Sequence, residues 1–326
     1  MKSPLLLSLA VALCGAAALD TAHASVVDPN NLPHKSEPGQ YGYNDCSKYA
    51  DSPSSKCQTL WINSVNDFCL YAPPKRATIG DSERNEVAWC TKAGHGARLI
   101  PAGAIKSAHF IKTKRYIQLT GTGDFRKIKI APRDDGGELD PHGADGNGNP
   151  IGAVVLTKAF SGRLEQVHEW HQFISATEFC IRICRNDDPD NWKWCNHIYD
   201  TEGCWWNDPG NYGRGFDTCA ADTIVSPPGE YKRKDGTTST FYHGQQSTPT
   251  AHAPAKSSQC KKQKTISPAK YPRMTTVANA PTSSHKASAP TKRTLDYEPV
   301  PHKQHGRFDH GDCNDDSAAE LDLVPV

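Results

Sequence analysis

Between Ser55 and Leu70 the apolar positions recur at helical spacing. Cys57, Leu60, Trp61, Val65, Phe68 and Cys69 fall on one face of a 3.6-residue repeat. Ser55 and Gln58 stand at capping-box spacing and Pro73-Pro74 ends the run, so the pattern predicts a helix over 55–70 with two half-cystines on its buried face. From Ala104 onward the period shortens to two. Tyr116–Thr120 and Lys127–Ile130 read as strands around a Gly121–Asp124 turn, and Ile151–Leu156 reads as a buried strand. Phe179, Ile181 and Ile183 share one face of a further strand, Phe179–Cys184. Residues 185–231, rich in Gly, Pro and Asn with Cys and Trp interspersed, predict irregular backbone held by bridges. The fold class expected is α+β: a disulfide-rich, mainly antiparallel β core with one N-terminal helix and a long disordered C-terminal tail.

Composition places the boundaries. All seven Trp lie between Trp61 and Trp206. After Tyr231 the chain turns to Lys, Ser, Thr, Pro and His, which bury too little apolar surface to offset the entropy of ordering a backbone. The expected organisation is a signal peptide at 1–24, a flexible lead-in at 25–40, a globular domain at 41–231 and a tail at 232–326. Lys2, the apolar stretch Leu5–Leu19 and Ala22-His23-Ala24 supply the three parts of the export signal. That stretch is too short to span a membrane. Charge is segregated: residues 25–231 hold 22 Lys+Arg against 26 Asp+Glu, residues 232–307 hold 14 against 3, and residues 308–326 hold 0 against 6. Such blocks suit solvated chain. The dibasic pairs Lys232-Arg233 and Lys292-Arg293 would be open to a processing protease there, and cleavage after Arg233 would release the domain.

Cysteine usage agrees with export. Cys14 leaves with the signal, and Cys46, Cys57, Cys69, Cys90, Cys180, Cys184, Cys195, Cys204 and Cys219 form a dense set that reads as a disulfide framework in an oxidising compartment. Their number is odd, so one is free or pairs with Cys260, and Cys313 could then bridge two chains. Connectivity is not deducible from spacing.

Three stretches offer chemistry. His168-Glu169-Trp170-His171 carries two His three apart, one residue short of the zinc-protease helix spacing. On a strand the two rings would face opposite ways. The loop 136–150 gathers Glu138, Asp140, His142 and Asp145, with Asp145, Asn147 and Asn149 at alternate positions. It resembles a calcium loop but lacks the turn Gly and the bidentate Glu of an EF-hand, and Gly, Asn, Asp and Pro together also describe a tight turn. Glu138, Asp140, Asp145 and Glu169 are candidate acid–base carboxylates, and Asp140, His142, His168 and His171 are candidate metal ligands. Trp205, Trp206 and Tyr212 could stack on a sugar or cover bridges as substitute core. Gly-rich phosphate loops and nucleophile elbows are absent, and no cofactor is implied.

Four stretches together, Asp67–Pro74, Val87–Lys92, Gly136–Pro150 and His197–Cys204, resemble the secreted fungal proteins called macrophage-activating glycoprotein-like. The resemblance covers about 46–231, implies a secreted fungal protein and transfers no catalytic residue; the Lys/His-rich tail departs from a simple Ser/Thr-rich stalk. With no catalytic set complete, the function expected is a non-catalytic extracellular or cell-wall interaction module, with polysaccharide as one ligand. The alternatives are a polysaccharide hydrolase and a metal-binding protein. The basic tail would attract anionic partners, polysaccharide before nucleic acid, and its Ser/Thr/Pro content suits O-linked sugars.

Overall fold

The computed structural model describes residues 26–271, except residues 246, 267 and 268. The expected signal peptide, the Lys292-Arg293 pair and Cys313 lie outside the described residues. Fifteen strands form among those described. In chain order they are β1 (Thr59–Ser64), β2 (Asp67–Ala72), β3 (Val87–Cys90), β4 (Arg98–Leu99), β5 (Ile105–Lys112), β6 (Tyr116–Gly123), β7 (Gly137–Leu139), β8 (Val154–Thr157), β9 (Glu165–Val167), β10 (Trp170–Ile174), β11 (Glu178–Cys184), β12 (Gly215–Ala221), β13 (Glu230–Lys232), β14 (Thr238–Thr240) and β15 (Ser257–Gln263). The α-helices are single turns: α1 (Ile79–Ser82), α2 (Asn191–Trp194) and α3 (Gly203–Asn207).

Two sheets carry the fold, a six-stranded one in the order β4-β3-β2-β1-β8-β9 and a seven-stranded one in the order β15-β12-β5-β6-β11-β10-β7; β13 and β14 form a separate hairpin. The pairings β1–β8, β3–β4 and β12–β5 are parallel; the others are antiparallel. The core lies between the two sheets. Phe68 of β2 stacks on Phe179 of β11 at 5.8 Å, and Tyr71 meets Trp170 at 5.5 Å. Gln172 of β10 reaches across, its amide accepting from the Tyr71 N–H and donating to the Tyr71 carbonyl, both at 2.9 Å. A buried amide with both ends satisfied fixes how one sheet sits on the other.

The α+β, disulfide-rich, β-dominated class holds. The helix over 55–70 does not: this stretch is the β1–β2 hairpin. Leu60, Ile62 and Phe68–Ala72 are all buried, and a turn at Ser64–Asp67 offsets two strands so that their inward residues mimic a three–four spacing. β2 is covered on both faces, which removes the alternation that marks a strand. Lys127–Ile130 is not a strand either. A 3-10 turn, Phe125–Ile128, buries Phe125 and Ile128 instead, and β6 hairpins with β5. β11 lies as expected.

All five bridges are local except one. They are Cys46–Cys57, Cys69–Cys90, Cys180–Cys204, Cys184–Cys195 and Cys219–Cys260. The odd cysteine therefore pairs with Cys260, and this moves the domain boundary. The chain beyond Tyr231 is not a free tail over its described length: β13 and β14 pair, β15 adds to β12, and Phe241 packs with Tyr199 and Trp206. The last described residue, Tyr271, accepts at its hydroxyl from the Leu99 N–H. One bridge and one sheet edge supply what composition does not. Nor is 25–40 a loose lead-in. Val27 and Leu32 cover Val154 and Leu156, and the Lys35 and Ser36 carbonyls accept from Gln166.

Candidate functional site

The loop 136–150 is built around an arginine. Asp140 pairs with Asn149 through two backbone hydrogen bonds of 2.9 Å, closing the loop at its base. Arg84 then fills it, donating to Asp145 Oδ2 at 2.6 Å, the Gly148 carbonyl at 3.1 Å and Asn149 Oδ1 at 3.2 Å. Asn147 Oδ1 accepts from the Tyr41 N–H. The oxygens that alternate in calcium-loop fashion thus already face a guanidinium and a backbone donor. Asp145 is thus paired with Arg84.

Beside this loop lies a cleft of about 790 Å³. Glu83, Asp135, Glu138, Asp140, Glu178 and Asp200 line it together with His197, and no Lys or Arg does. Glu138, on β7, is the deepest acid. Burial pushes its carboxyl well above the ordinary value, and Asp200 adds to this, with Asp140 and Asp208 beyond. One Glu138 oxygen is buried without a partner. Glu83 is also raised, by burial and by Asp140 and Asp200.

A second cluster stands at the His197 side of the cleft. His142 Nδ1 and His197 Nε2 are 2.9 Å apart, with ring centroids 4.9 Å apart. His142 Nε2 lies 3.1 Å from Glu37 Oε1, and His197 Nδ1 lies 3.5 Å from Asp140 Oδ1. Glu169 Oε2 is 4.0 Å from His197 Nε2, buried and without a hydrogen-bond partner. Burial raises the Glu169 carboxyl, Glu37 and Asp140 raise it further, and His142 opposes them. Burial lowers the His197 imidazole, against the pull of Asp140.

The expected metal set therefore divides. Asp140 and His142 do come together, but His168 and His171 stand elsewhere. His168 Nδ1 contacts the Ser36 carbonyl at 3.1 Å. His171, on β10, is fully buried between the Asn196 carbonyl at 3.0 Å and Asp208 Oδ1 at 2.8 Å. It belongs to a structural network in which Arg182 donates to Gln118 Oε1 and to the Trp194 and Asn207 carbonyls, and pairs with Asp208 at 2.9 Å. His197 and Asp200 were missed as site residues. Both lie in His197–Cys204, a stretch whose only signal was its resemblance to other proteins, because no spacing links it to residue 142.

Of the three candidate stacking residues, Trp205 alone turns a ring to solvent, with 58% exposure. It leans on Tyr212 at 4.3 Å and donates from Nε1 to Glu178 Oε2, a wall of the cleft. Trp206 and Tyr212 are core. Trp206 donates to the Pro249 carbonyl, and the Tyr212 hydroxyl donates to the Cys204 and Asp208 carbonyls.

Fold and site together define a disulfide-stapled β protein with an acid-lined cleft flanked by an imidazole pair. No helix among the described residues is long and apolar enough to cross a membrane. The chain is 50% identical over 248 residues to "Appressorium protein ROW2" of Mycosarcoma maydis, an alignment spanning 74% of this chain and 83% of ROW2, and it belongs to that family. It is also 48% identical over 231 residues to "Appressorium protein ROW1" of the same fungus, covering 70% of this chain and about half (53%) of ROW1. No family model and no solved structure matches the chain.

Proposed function

We propose that this protein is secreted by a fungus and acts outside the cell as a glycan-binding module, its ligand a wall polysaccharide that bears protonated amines. One observation carries the reading. The cleft presents six carboxyl residues and no Lys or Arg, with an exposed Trp205 hydrogen-bonded to one of its walls. Carboxylates accept from sugar hydroxyls and ammonium groups, and an indole face covers the apolar side of a pyranose ring. An anionic polysaccharide would meet like charge in the same cleft, so the charge selects a glucosamine-type polymer over a uronic acid one.

Export is supported by five disulfides, which need an oxidising compartment, by the N-terminal signal pattern, and by relatives named for the appressorium. The resemblance to macrophage-activating glycoprotein-like proteins points to the same compartment. Titration of the full secreted chain with glucosamine, N-acetylglucosamine and glucuronic acid oligomers tests the reading. The glucosamine oligomer should bind best, salt should weaken it, and Trp205→Ala should cost about tenfold, or about 1.4 kcal/mol. Equal or absent binding of all three would refute it.

A further inference from the structure

We propose that His142, His197 and Glu169 bind a divalent transition-metal ion, for which zinc is the best fit. The site goes beyond the glycan reading and does not depend on it.

The first argument is the direction of the rings. His142 Nδ1 and His197 Nε2 face each other at 2.9 Å, so both point into the same small volume. A zinc ion takes imidazole nitrogens at about 2.0–2.1 Å, and a small outward movement of either ring would seat one between them. The second argument is what holds the rings from behind. The nitrogen that His142 turns away meets Glu37, and the nitrogen that His197 turns away meets Asp140. A carboxylate on the far nitrogen is the usual outer partner of a metal-bound imidazole; it sets the tautomer and raises the basicity of the ligating nitrogen. Here both rings have one. Asp140 is in turn held by the His142 and Gly143 N–H groups, at 2.8 and 2.5 Å.

The third argument is the oxygen left over. Glu169 Oε2 is buried, accepts no hydrogen bond, and lies 4.0 Å from His197 Nε2. Glu169 falls in one compact set with Glu37 and His142, while Asp140, His142 and His197 form another; His142 is common to both, and Glu169 joins the two rings by a movement of its side chain toward His197. A buried carboxylate oxygen without a donor is costly, and a cation at this point would satisfy it. Two imidazoles and one carboxylate make a borderline N/O donor set that suits zinc and related first-row ions better than calcium or magnesium. Three protein ligands also leave a coordination position free, as in zinc sites that take water or a substrate oxygen. His197 lines the acidic cleft, so that position is within reach of whatever the cleft holds.

The ligands come from distant segments, each fixed separately. His142 sits in the Arg84-filled loop, Glu169 just before β10, and His197 between the half-cystines of two bridges, Cys184–Cys195 and Cys180–Cys204. Segments anchored in this way limit how far the three side chains must move to meet one ion.

The test is zinc titration of the full chain after chelator treatment, followed calorimetrically and by the ligand-field absorption of a cobalt-loaded sample. The chain holds 14 His, so weak binding elsewhere is expected, and stoichiometry is the readout. His142→Ala/His197→Ala should lose one tight site and the cobalt bands. Glu37→Gln, acting only through His142, should weaken that site about 10–100-fold, and it serves as the test if the double variant does not fold. His168→Ala, whose ring contacts Ser36, should bind as wild type. Unchanged stoichiometry and affinity in the double variant or in Glu37→Gln, or no tight site in the wild type, would overturn the assignment.

Discussion

Replacing Arg182 with Met should be among the most damaging single changes to this fold. Its guanidinium is fully buried and lies 4.5 Å over the Tyr116 ring. It is the counter-charge of Asp208, which is equally buried. Burial alone would push the Asp208 carboxyl up, but Arg182 and His171 outweigh it and hold the carboxyl below its ordinary value of 3.8. Met keeps much of the volume and removes the charge. Asp208 is then left with His171 alone, and the Trp194 and Asn207 carbonyls lose their donor. Breaking a buried pair from one side costs about 3–5 kcal/mol, and two orphaned carbonyls place the expected loss at the upper end, about 4–5 kcal/mol. For a domain of this size that lowers the melting temperature by roughly 10–15 °C. Urea unfolding at pH 7 with the disulfides intact measures it. The loss should shrink as pH falls from 7 toward 4, because without Arg182 burial pushes the Asp208 carboxyl up, so that in the variant it takes a proton above its ordinary value and no longer buries a bare charge. In a cycle with Asp208→Asn the two changes should couple by about 1–3 kcal/mol. A cost under about 1 kcal/mol, or strict additivity, would refute the reading of Arg182 and Asp208 as a coupled buried pair. That segment carries His197 and Asp200, so the variant should also loosen the cleft wall.

Burial raises the Glu86 carboxyl to about 8, despite a hydrogen bond from Ser82, and Asp134 and Glu83 add to the rise. The folded state therefore keeps a proton that the unfolded state releases above about 4.5. Stability from this group is full below that pH and falls until about pH 8, by about 3 kcal/mol at pH 7. Glu86→Gln should flatten the slope of the urea midpoint between pH 5 and 8, and an unchanged slope would remove Glu86 as its source. Cleavage after Arg233, which lies in the β13–β14 turn, should not release the remainder of the chain, because Cys219–Cys260 spans the cut. Non-reducing electrophoresis should show one species where reduction shows two; separation without reductant would exclude that bridge.

The stretches of sequence that read correctly are those where one face meets the core and the other does not, as in β11. Where burial is two-sided, as in β2, the period vanishes, and a tight turn supplied a false one. The tail misled for a different reason. Apart from Cys260, β15 is Ser, Gln and Lys with all but its last residue exposed, so little in its composition separates it from solvated linker; its place is set by that cysteine's bridge and by hydrogen bonds to β12. At the site, the loop 136–150 was the right region, since Asp140 and His142 lie there. Their partners Glu37, Glu169 and His197 are brought in by topology, Glu37 from 105 residues before His142 and His197 from 55 after it. His168 and His171 had the suggestive spacing, but His168 precedes β10 while His171 lies within it and turns into the core.

The same β15 has a consequence for crowding. Of the four outer strands of the two sheets, β4 has two residues and β7 and β9 three each. β15, the one long edge, breaks register opposite Thr218–Ala220 and carries Lys261 and Lys262. Short, kinked or lysine-bearing rims deny a neighbouring chain the row of free amides and carbonyls needed to continue a sheet. A β-rich protein at high concentration runs a standing risk of stacking into fibres, and both sheets among the described residues are trimmed at their borders against it.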